Sequence, residues 1–330
     1  MFFAQCLKVL HVNYMINQIT AHISVSMLQG IGPARSKKIL DNLTSLESFD
    51  VYSTVLKCFP SIKIDHSEWH AIWSRSADKA ERIMGKGIVI IPYLSDLYPA
   101  NLRELSAPPV NLYLIGRTDA LLSAKIIAIV GTRNPDSCIQ DFAPSFCEHL
   151  SSLASCVVSG LALGCDSMAH IASIRSTTPT VAVLPCGIDK IYPKENQGLA
   201  QDIVDAGGCL VSEYEPGTKT QKSYFVARDR IQAGLSHAGI LLQSSLNGGS
   251  MHAMKTLASL GRPLATISPP RHLVNADQWA GNVKLINGRP APVVFDLASD
   301  AHSIREGAGI LFSKHQNQSV DQSFIQQSLL

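Results

Sequence analysis

The feature that most constrains the fold is a series of short apolar segments between residues 126 and 267. None of these segments alternates between apolar and polar residues, and stretches of helical length separate most of them. The segments are residues 126–130, 156–158, 180–184, 209–211, 238–242 and 264–267. Strands that helices cover on both faces have this pattern. We therefore predict an α/β fold built on a parallel sheet with helices on both sides.

The residues before this series predict a small helical domain, followed by two candidate strands at residues 88–91 and 110–115. In the helical part, a Gly-x-Gly turn at residues 30–32 separates two helical patterns, and Pro33 suits the first turn of the second helix. This is the form of a helix-hairpin-helix in a SAM-like domain, where glycine amides and a helix N-terminus meet a phosphate. An ordinary turn between packed helices has the same pattern, so both interpretations stay open.

These patterns predict how the chain is divided. We expect a helical domain over residues 1–84, a domain built on the parallel sheet over 85–297 and a tail over 298–330. Residues 1–14 lack the charged start and cleavage site of a signal peptide, so we expect a poorly structured extension before a natural start at Met15. The tail is rich in Ser, Gln and His and has too few apolar residues for a core of its own.

Glycine-rich loops follow the predicted parallel strands. Ligands of open parallel sheets bind at the carboxyl ends of the strands, where these loops meet. The residues singled out there are Gly131, Thr132, Arg133, Ser159, Gly160, Gly187, Asn196, Gly249 and Ser250. Glycine turns expose backbone amides that bind phosphates, and an arginine adds a bidentate contact. The GxGxxG fingerprint is missing and no acidic residue ends the second strand, so NAD is not expected.

A basic and aromatic segment lies between the fourth and fifth strands of the series. Lys222, Tyr224 and Phe225 combine the charge and the rings that single-strand binders use to contact backbone and bases. Arg228 and Arg230 are two residues apart, so they do not share one face of a helix. We expect one arginine to contact ligand and the other to pair with a carboxylate such as Asp229 or Glu213. Structural ion pairs and core aromatics remain the alternative.

Composition excludes several classes of protein. The net charge is only +2, so any binding of nucleic acid depends on a local patch. No apolar stretch reaches the ~18 residues of a membrane span, and the eight cysteines contain no CxxC pair. We expect a cytoplasmic protein with small buried thiols and no membrane contact.

Catalytic and metal-binding patterns are not found in the sequence. No Ser-His-Asp or Cys-His arrangement can be assigned, and no metal-ligand spacing stands out. His170 follows Asp166 by four positions, and such a pair more often stabilises a helix than performs acid–base chemistry. We therefore expect no catalytic residue, no metal and no cofactor.

Taken together, these loops resemble the DprA/Smf family of bacterial DNA-processing proteins. The resemblance extends from about Ile91 to Ile286, and it is specific because several motifs occur in the family's order. The motifs are IVGTR (129–133), SGLALGCD (159–166), YPKEN (192–196), SEYEPG (212–217), FVARDRIQAGLS (225–236), GGSM (248–251) and GN-x-KLI (281–286). The helix-hairpin-helix-like region also agrees with this family, although it is generic.

The resemblance implies an extended Rossmann-like fold that binds single-stranded DNA without hydrolysing it. It also implies a recombination mediator that loads a RecA-type recombinase during natural transformation, and a homodimer. The DNA-contacting residues carried over to this sequence are Gly131, Thr132, Arg133, Ser159, Gly160, Asn196, Arg228, Arg230, Gly249 and Ser250. Lys222 joins them on its charge and position alone.

Four positions depart from the family's pattern. The family usually has arginine where this chain has Leu163, and Pro, Arg and Asn where it has Val226, Ala227 and Asp229. Two positive charges are lost and one negative charge is gained, which weakens phosphate binding and flattens its salt dependence. The winged-helix-like domain of many members is not visible either.

The alternative is a nucleotide-binding sensor, or an enzyme like the lonely-guy-type phosphoribohydrolases. Those enzymes carry a PGG-x-GT-x-x-E loop at a comparable strand end. Here Gly248-Gly249-Ser250 is followed by Met251, His252 and Ala253, so the glutamate that would serve as general acid or base is missing. Nucleotide binding without catalysis remains open.

Overall fold

The computed structural model describes residues 2–313, with side chains from residue 14 onward. Its helices are α1 (Phe2–Ser26), α2 (Pro33–Leu40), α3 (Ser48–Cys58), α4 (His66–Met84), α5 (Ala100–Arg103), α6 (Ser137–Leu153), α7 (Cys165–Arg175), α8 (Gln197–Asp205), α9 (Lys222–Leu235), α10 (Ser250–Ser259), α11 (Ala280–Ile286) and α12 (301–313). Its strands are β1 (Val89–Pro92), β2 (Asn111–Gly116), β3 (Ile126–Val130), β4 (Cys156–Ser159), β5 (Thr180–Val183), β6 (Cys209–Ser212), β7 (Ala238–Leu241), β8 (Leu264–Ile267) and β9 (Val293–Phe295).

These strands form one nine-stranded sheet in the order β1-β2-β6-β5-β4-β3-β7-β8-β9. The pairs β1–β2 and β2–β6 are antiparallel, and all other neighbours are parallel. The predicted α/β fold with a largely parallel sheet is confirmed. All eight predicted strands are present, with ends within one residue of the prediction. β9 was not predicted, because it is a three-residue edge strand with only Phe295 buried.

The sheet reverses its direction of growth between β3 and β7. From β3 the chain passes through α6 to β4 on one side, whereas from β7 it passes through α10 to β8 on the other. The loops after β3 and β7 therefore leave neighbouring strands in opposite directions and open a crevice at the carboxyl edge. This topological switch point is where open α/β sheets bind their ligands.

The N-terminal helices pack against the β1–β2 end of the sheet. Ile39 and Trp69 of the helical region share one core with Leu112 and Leu114 of β2. α2 begins at Pro33, the position expected for it. The expected domain boundary at residue 84 coincides with the end of α4, yet the apolar core continues across it. The backbone of residues 2–14 lies in α1, which differs from the extension expected there.

The C-terminal segment also differs from the tail expected over residues 298–330. Residues 301–313 form α12, which buries Ile304, Leu311 and Phe312 against the core that contains Phe146 and Phe295. This apolar stripe recurs at helical spacing among polar residues, and it needs no core of its own because it covers an existing one. Residues 314–330 lie outside the described part of the chain. Within that part, no helix is long and apolar enough to cross a membrane.

Candidate functional site

Two adjoining clefts open at the carboxyl edge of the parallel strands. The switch-point cleft, about 290 Å³, lies between the loop after β3 (residues 130–133), the start of α10 (248–250) and α9. The aromatic cleft, about 420 Å³, is lined by Tyr192 and Phe225 among others. Arg133 and Arg228 line both clefts, so the two form one continuous groove.

Arg133 is a cation that lines both clefts and has no ion-pair partner among the described carboxylates. It is exposed, its guanidinium lies 5.2 Å from the centroid of the Phe225 ring, and none of the described carboxylates forms an ion pair with it. Tyr192, which is also exposed, packs edge-on against Phe225 at a centroid distance of 5.4 Å. A cation held on an aromatic face beside a second ring is suited to a phosphate next to a stacked base.

Arg228 forms the floor of the groove and is buried. Its Nε lies 3.1 Å from Asp229 Oδ1 and its Nη1 lies 3.9 Å from Asp166 Oδ2, and Nη1 also donates to the Val183 carbonyl at 3.2 Å. One guanidinium is thus shared by two buried carboxylates. Burial raises the pKa of both carboxyls, against the opposing effect of Arg228. For Asp229 the pKa rises to about 7, with the nearby charge of Asp166 adding to the effect of burial.

Gly160 and Gly131 are glycines because neighbouring side chains occupy the space of a Cβ. At Gly160 a Cβ would overlap the Arg228 guanidinium and lie 2.6 Å from Gln232 Nε2. At Gly131 it would lie 2.5 Å from Cys165 Sγ. Both glycines are predicted from the sequence to contact DNA, and that contact stays a prediction. In the structure, the protein's own side chains lie close to both glycines.

Ser159 and Asn196 hold the loops with their side chains, whereas Thr132 lines the switch-point cleft and holds its loop through the backbone. The Thr132 amide donates to the Gln243 carbonyl at 2.8 Å, and Ser159 Oγ donates to the Ile129 carbonyl at 2.6 Å. Asn196 Nδ2 donates to the Leu161 carbonyl at 2.7 Å and to Ser167 Oγ at 2.9 Å. Ser159 and Asn196 are buried, so they position the walls of the groove.

His170 completes the support of the loop after β4. The Leu161 amide donates to His170 Nε2 at 3.3 Å, and Nδ1 lies 2.8 Å from Thr180 Oγ1. Burial lowers the pKa of His170 to about 3, with the charge of Arg228 as a smaller cause, so the imidazole is neutral. It contributes hydrogen bonds to the fold and no charge to the groove.

Arg230 and Lys222 lie outside both clefts. Arg230 Nη2 is 2.5 Å from Glu213 Oε2, so Arg228 faces the groove while its neighbour on α9 pairs with a buried carboxylate. The two arginines face different ways, as their spacing predicted, but both pair with carboxylates, because Arg228 lies between Asp166 and Asp229. Contact of Arg228 with a ligand stays a prediction. Lys222 is exposed at the first residue of α9 and has no ion-pair partner among the described side chains.

Gly249 and Ser250 begin α10 and line the switch-point cleft. Ser250 Oγ donates to Ser244 Oγ at 3.0 Å. The loop that carries Ser244 is fixed by Asn282, whose Oδ1 accepts from the Ser244 amide at 3.0 Å and whose Nδ2 donates to the Leu242 carbonyl at 2.9 Å. No role is predicted for Asn282 from the sequence, although it lies in the GN-x-KLI motif.

Arg262 anchors the far end of α9. This buried guanidinium donates to the carbonyls of residues 233, 234 and 236 at the end of α9, and to the Asn101 carbonyl at 2.8 Å. It also pairs with Glu104 at 3.1 Å. Its charge faces the negative end of the helix dipole, which stabilises the helix that carries Phe225 and Arg228.

Two of the departures from the family pattern are exposed apolar residues, and one of them lines the groove. Leu163 is 42% exposed and lines the aromatic cleft, and Val226 is 47% exposed on α9. The ionisable residues that line the two clefts are three basic and three acidic ones, namely Arg133, Lys194, Arg228, Asp166, Glu195 and Asp229. The formal charge of the groove is therefore zero when all are ionised and +1 when one carboxyl is protonated.

The described residues contain no cluster of three metal ligands and no disulfide bond. No group of three His, Cys, Asp or Glu side chains among the described residues is arranged to hold a metal ion. The cysteines whose side chains are described are free, and five of them are buried.

The fold and the groove together define a doubly wound, Rossmann-like α/β protein with its ligand crevice at the switch point. Residues 89–304 match the family model of DNA recombination-mediator protein A. The chain belongs to this family, which also contains the DprA and Smf proteins.

Curated relatives support this assignment over much of the chain. The DNA processing protein DprA of Bacillus subtilis is 36% identical over 202 residues, which are 61% of this chain and 66% of the relative. That of Streptococcus pneumoniae is 36% identical over 176 residues, which are 53% of this chain and 61% of the relative. The match thus spans less than two thirds of the length of either relative.

Two solved structures share the fold. The X-ray structure of DprA from Streptococcus pneumoniae superposes with a TM-score of 0.71 at 24% identity, covering 88% of this chain and 97% of that one. DNA processing protein A from Helicobacter pylori, solved for its single-stranded DNA binding mode, gives a TM-score of 0.58 at 26% identity, covering 69% and 96%.

Proposed function

We propose that this chain binds single-stranded DNA along the groove formed by the switch-point cleft and the aromatic cleft. The observation that carries this proposal is the exposed Arg133, held on the Phe225 ring beside Tyr192 where the two clefts meet. A phosphate pairs with the guanidinium while bases stack on the rings. Stacking is weaker in a duplex, whose bases are already stacked on one another. The single-stranded DNA binding of the Helicobacter pylori relative supports the same assignment.

Each group of the groove has a separate part in this binding. Arg133 supplies a solvent-accessible cation, and the amides at the start of α10 with Gly249 and Ser250 receive a second phosphate. Arg228, Thr132, Ser159, Gly160 and Asn196 keep the floor and walls in place. Gly131 allows the β3 loop to pack on α7. Arg230 lies outside the groove and fixes α9 through its ion pair with Glu213. Lys222 extends the positive charge along the surface.

We extend the proposal to a recombination mediator without hydrolytic activity. The chain would deliver its strand to a RecA-type recombinase, and it would act as a homodimer. Recombinase loading is tested by the rate at which such a recombinase forms filaments on single strands coated with this protein. The dimer is tested by light scattering of the purified chain across concentrations.

The binding experiment compares labelled oligo-dT, the matching duplex and free nucleotides by fluorescence anisotropy. We expect the single strand to bind more tightly than the duplex, with affinity that falls as salt rises. Equal binding of the two forms, or no binding at ~50 mM salt, would refute the proposal. Tight binding of a free nucleotide without binding of the strand would favour the alternative, a nucleotide sensor. The switch-point cleft is large enough to hold a nucleotide.

A matched pair of variants locates the site. Arg133→Ala removes the groove cation, and Arg175→Ala removes an exposed arginine that pairs with Glu148 on α6. We expect Arg133→Ala to weaken binding roughly tenfold or more, because a charge-assisted contact contributes about 1.5–3 kcal/mol. It should also reduce the salt slope by about 0.7, the value for one phosphate of a single strand. Arg175→Ala should leave both quantities unchanged, and equal effects of the two variants would contradict the proposed location.

A further inference from the structure

We propose that Asp229 couples DNA binding to protonation: the switch-point cleft takes up one proton when it receives a phosphate, because the Asp229 carboxyl must become neutral. This inference rests on the proposed function and names a regulation of the same groove. It concerns a residue at which this chain has a titratable group in place of the asparagine that is usual in its family.

The position of the Asp229 carboxyl is the first observation. Asp229 lies on α9 and lines the switch-point cleft. Its Oδ2 lies 3.9 Å from the point that a Cβ on Gly249 would occupy, so the carboxyl lies beside the glycine turn that begins α10. A phosphate bound to the amides of that turn would be a close neighbour of this carboxyl. Two negative charges that lie close together in a partly buried cleft repel each other more strongly than they do in bulk water.

The charges around Asp229 do not cancel that repulsion. The charged groups that face it are Arg228 on its own helix, Asp166 from α7 and Arg133 from the loop after β3. Arg228 is already shared with Asp166, and a bound phosphate would compete for Arg133. With every group ionised the groove has no net formal charge to attract a phosphate. Protonation of Asp229 changes this to +1 and replaces a repelling oxygen by a hydrogen-bond donor.

Burial places this protonation within reach of neutral pH. Asp229 is 5% exposed, and burial is the main reason why its pKa rises to about 7. A neighbouring phosphate would raise the pKa further, because a second negative charge disfavours the ionised carboxyl. Binding and proton uptake are then linked, and each favours the other.

Gln232 provides an independent indication that this cleft receives an acceptor ligand. Its side chain is 1% exposed and lines the switch-point cleft. Among the described residues, its Nε2 has no hydrogen-bond acceptor. A buried amide donor without a partner is rare in native structures. A phosphate oxygen in the cleft would give this donor an acceptor on the same helix face from which a protonated Asp229 donates.

The test measures oligo-dT affinity by fluorescence anisotropy from pH 6 to pH 8 at constant ionic strength. It compares the wild type, Asp229→Asn and the control Asp141→Asn, which removes the same charge from an exposed position on α6. We expect wild-type affinity to fall about tenfold over this range, as for one group whose pKa rises from about 7 to about 9 on binding. Asp229→Asn should bind more tightly than the wild type at pH 8 and keep only the slope due to histidines. Asp141→Asn should follow the wild type.

The other possible results distinguish proton coupling by Asp229 from DNA binding itself. A pH slope in Asp229→Asn equal to that of the wild type overturns proton coupling and leaves DNA binding intact. Affinity at pH 8 that Mg²⁺ restores in the wild type but not in Asp229→Asn also overturns it, since a cation would then replace the proton. Absence of binding at every pH in both proteins, with folded circular dichroism spectra, refutes the proposed function and this inference together. Calorimetry at pH 7.5 in two buffers of different ionisation enthalpy should show net proton uptake by the wild type and by Asp141→Asn, but not by Asp229→Asn.

Discussion

The substitution Gly160→Ala tests whether the floor of the groove is built as the structure describes. An alanine Cβ would overlap the Arg228 guanidinium and lie 2.6 Å from Gln232 Nε2. The obstacle at Arg228 is the charged head of a buried side chain, so relief requires it to leave its position. Arg228 would then lose Asp166, Asp229 and the Val183 carbonyl together.

The magnitude follows from the carboxylates left behind. Removal of one partner from a buried ion pair costs about 3–5 kcal/mol, because the remaining charge stays buried. Asp229 relieves part of this cost by protonation, since its pKa is already about 7. An alanine also restricts the unfolded chain, which returns about 0.4–1 kcal/mol. We therefore expect Gly160→Ala to lower the free energy of unfolding by about 3 kcal/mol, a large part of the 5–15 kcal/mol of a typical domain.

The assay is urea unfolding at pH 7.5, with oligo-dT anisotropy on the folded fraction. The control is Gly198→Ala in α8, where a Cβ would meet nothing within 4 Å. We expect this control to raise stability by about 0.5–1 kcal/mol, because glycine inside a helix is less favourable than alanine. If Gly160→Ala changed stability by less than about 0.5 kcal/mol and kept its DNA affinity, the assigned packing of Arg228 would be wrong.

Three further predictions concern stability and are measured by urea unfolding. Arg262→Met should cost about 3 kcal/mol or more, because the carbonyls at the end of α9 lose their shared donor; a loss below 1 kcal/mol would contradict the anchoring role. Asp229→Asn should be more stable than the wild type at pH 8, and this advantage should disappear as the pH falls from about 7 toward 4. The reason is that a carboxyl with a raised pKa destabilises the fold only at a pH where it is ionised. The gain in the free energy of unfolding is at most about 4 kcal/mol. If the stability advantage of Asp229→Asn increased as the pH fell, the predicted direction of this effect would be wrong. Trp279→Phe should cost about 1.5–3 kcal/mol, because Asp136 loses a 2.7 Å hydrogen bond from the indole; an unchanged midpoint would refute it.

Much of this fold could be predicted from the sequence, because the parallel strands are continuous apolar segments and their loops follow at once. β3 and β8 have the predicted ends, and the glycine loops line one edge. The spacing of Arg228 and Arg230 also predicted that they would face different ways. The sequence pattern did not show what role each polar residue of the loops has. Ser159 and Asn196 are polar residues at strand ends, and only the packing shows that their hydrogen bonds are satisfied inside the protein.

Other features depend on contacts between distant segments and leave no local pattern. α12 is a polar-looking segment that becomes stable only because its stripe of Ile304 and Leu311 covers the core behind β9. Asn282 lies far along the chain from the loop it holds at Ser244. The raised pKa of Asp229 has its origin in burial, which no motif reports. Such features need the tertiary structure.

The anchoring of α9 at one end has a mechanical consequence. Its last two turns are buried and held by Arg262, whereas its first turn, from Lys222 to Phe225, has no side-chain cap and lies at the surface. Helix ends without caps open more readily than packed turns. The rigid end therefore keeps Arg228 in register with the sheet. In the proposed DNA complex, the uncapped end allows the Phe225 ring to adjust to bases of different size, and the packed end fixes the position of the charge.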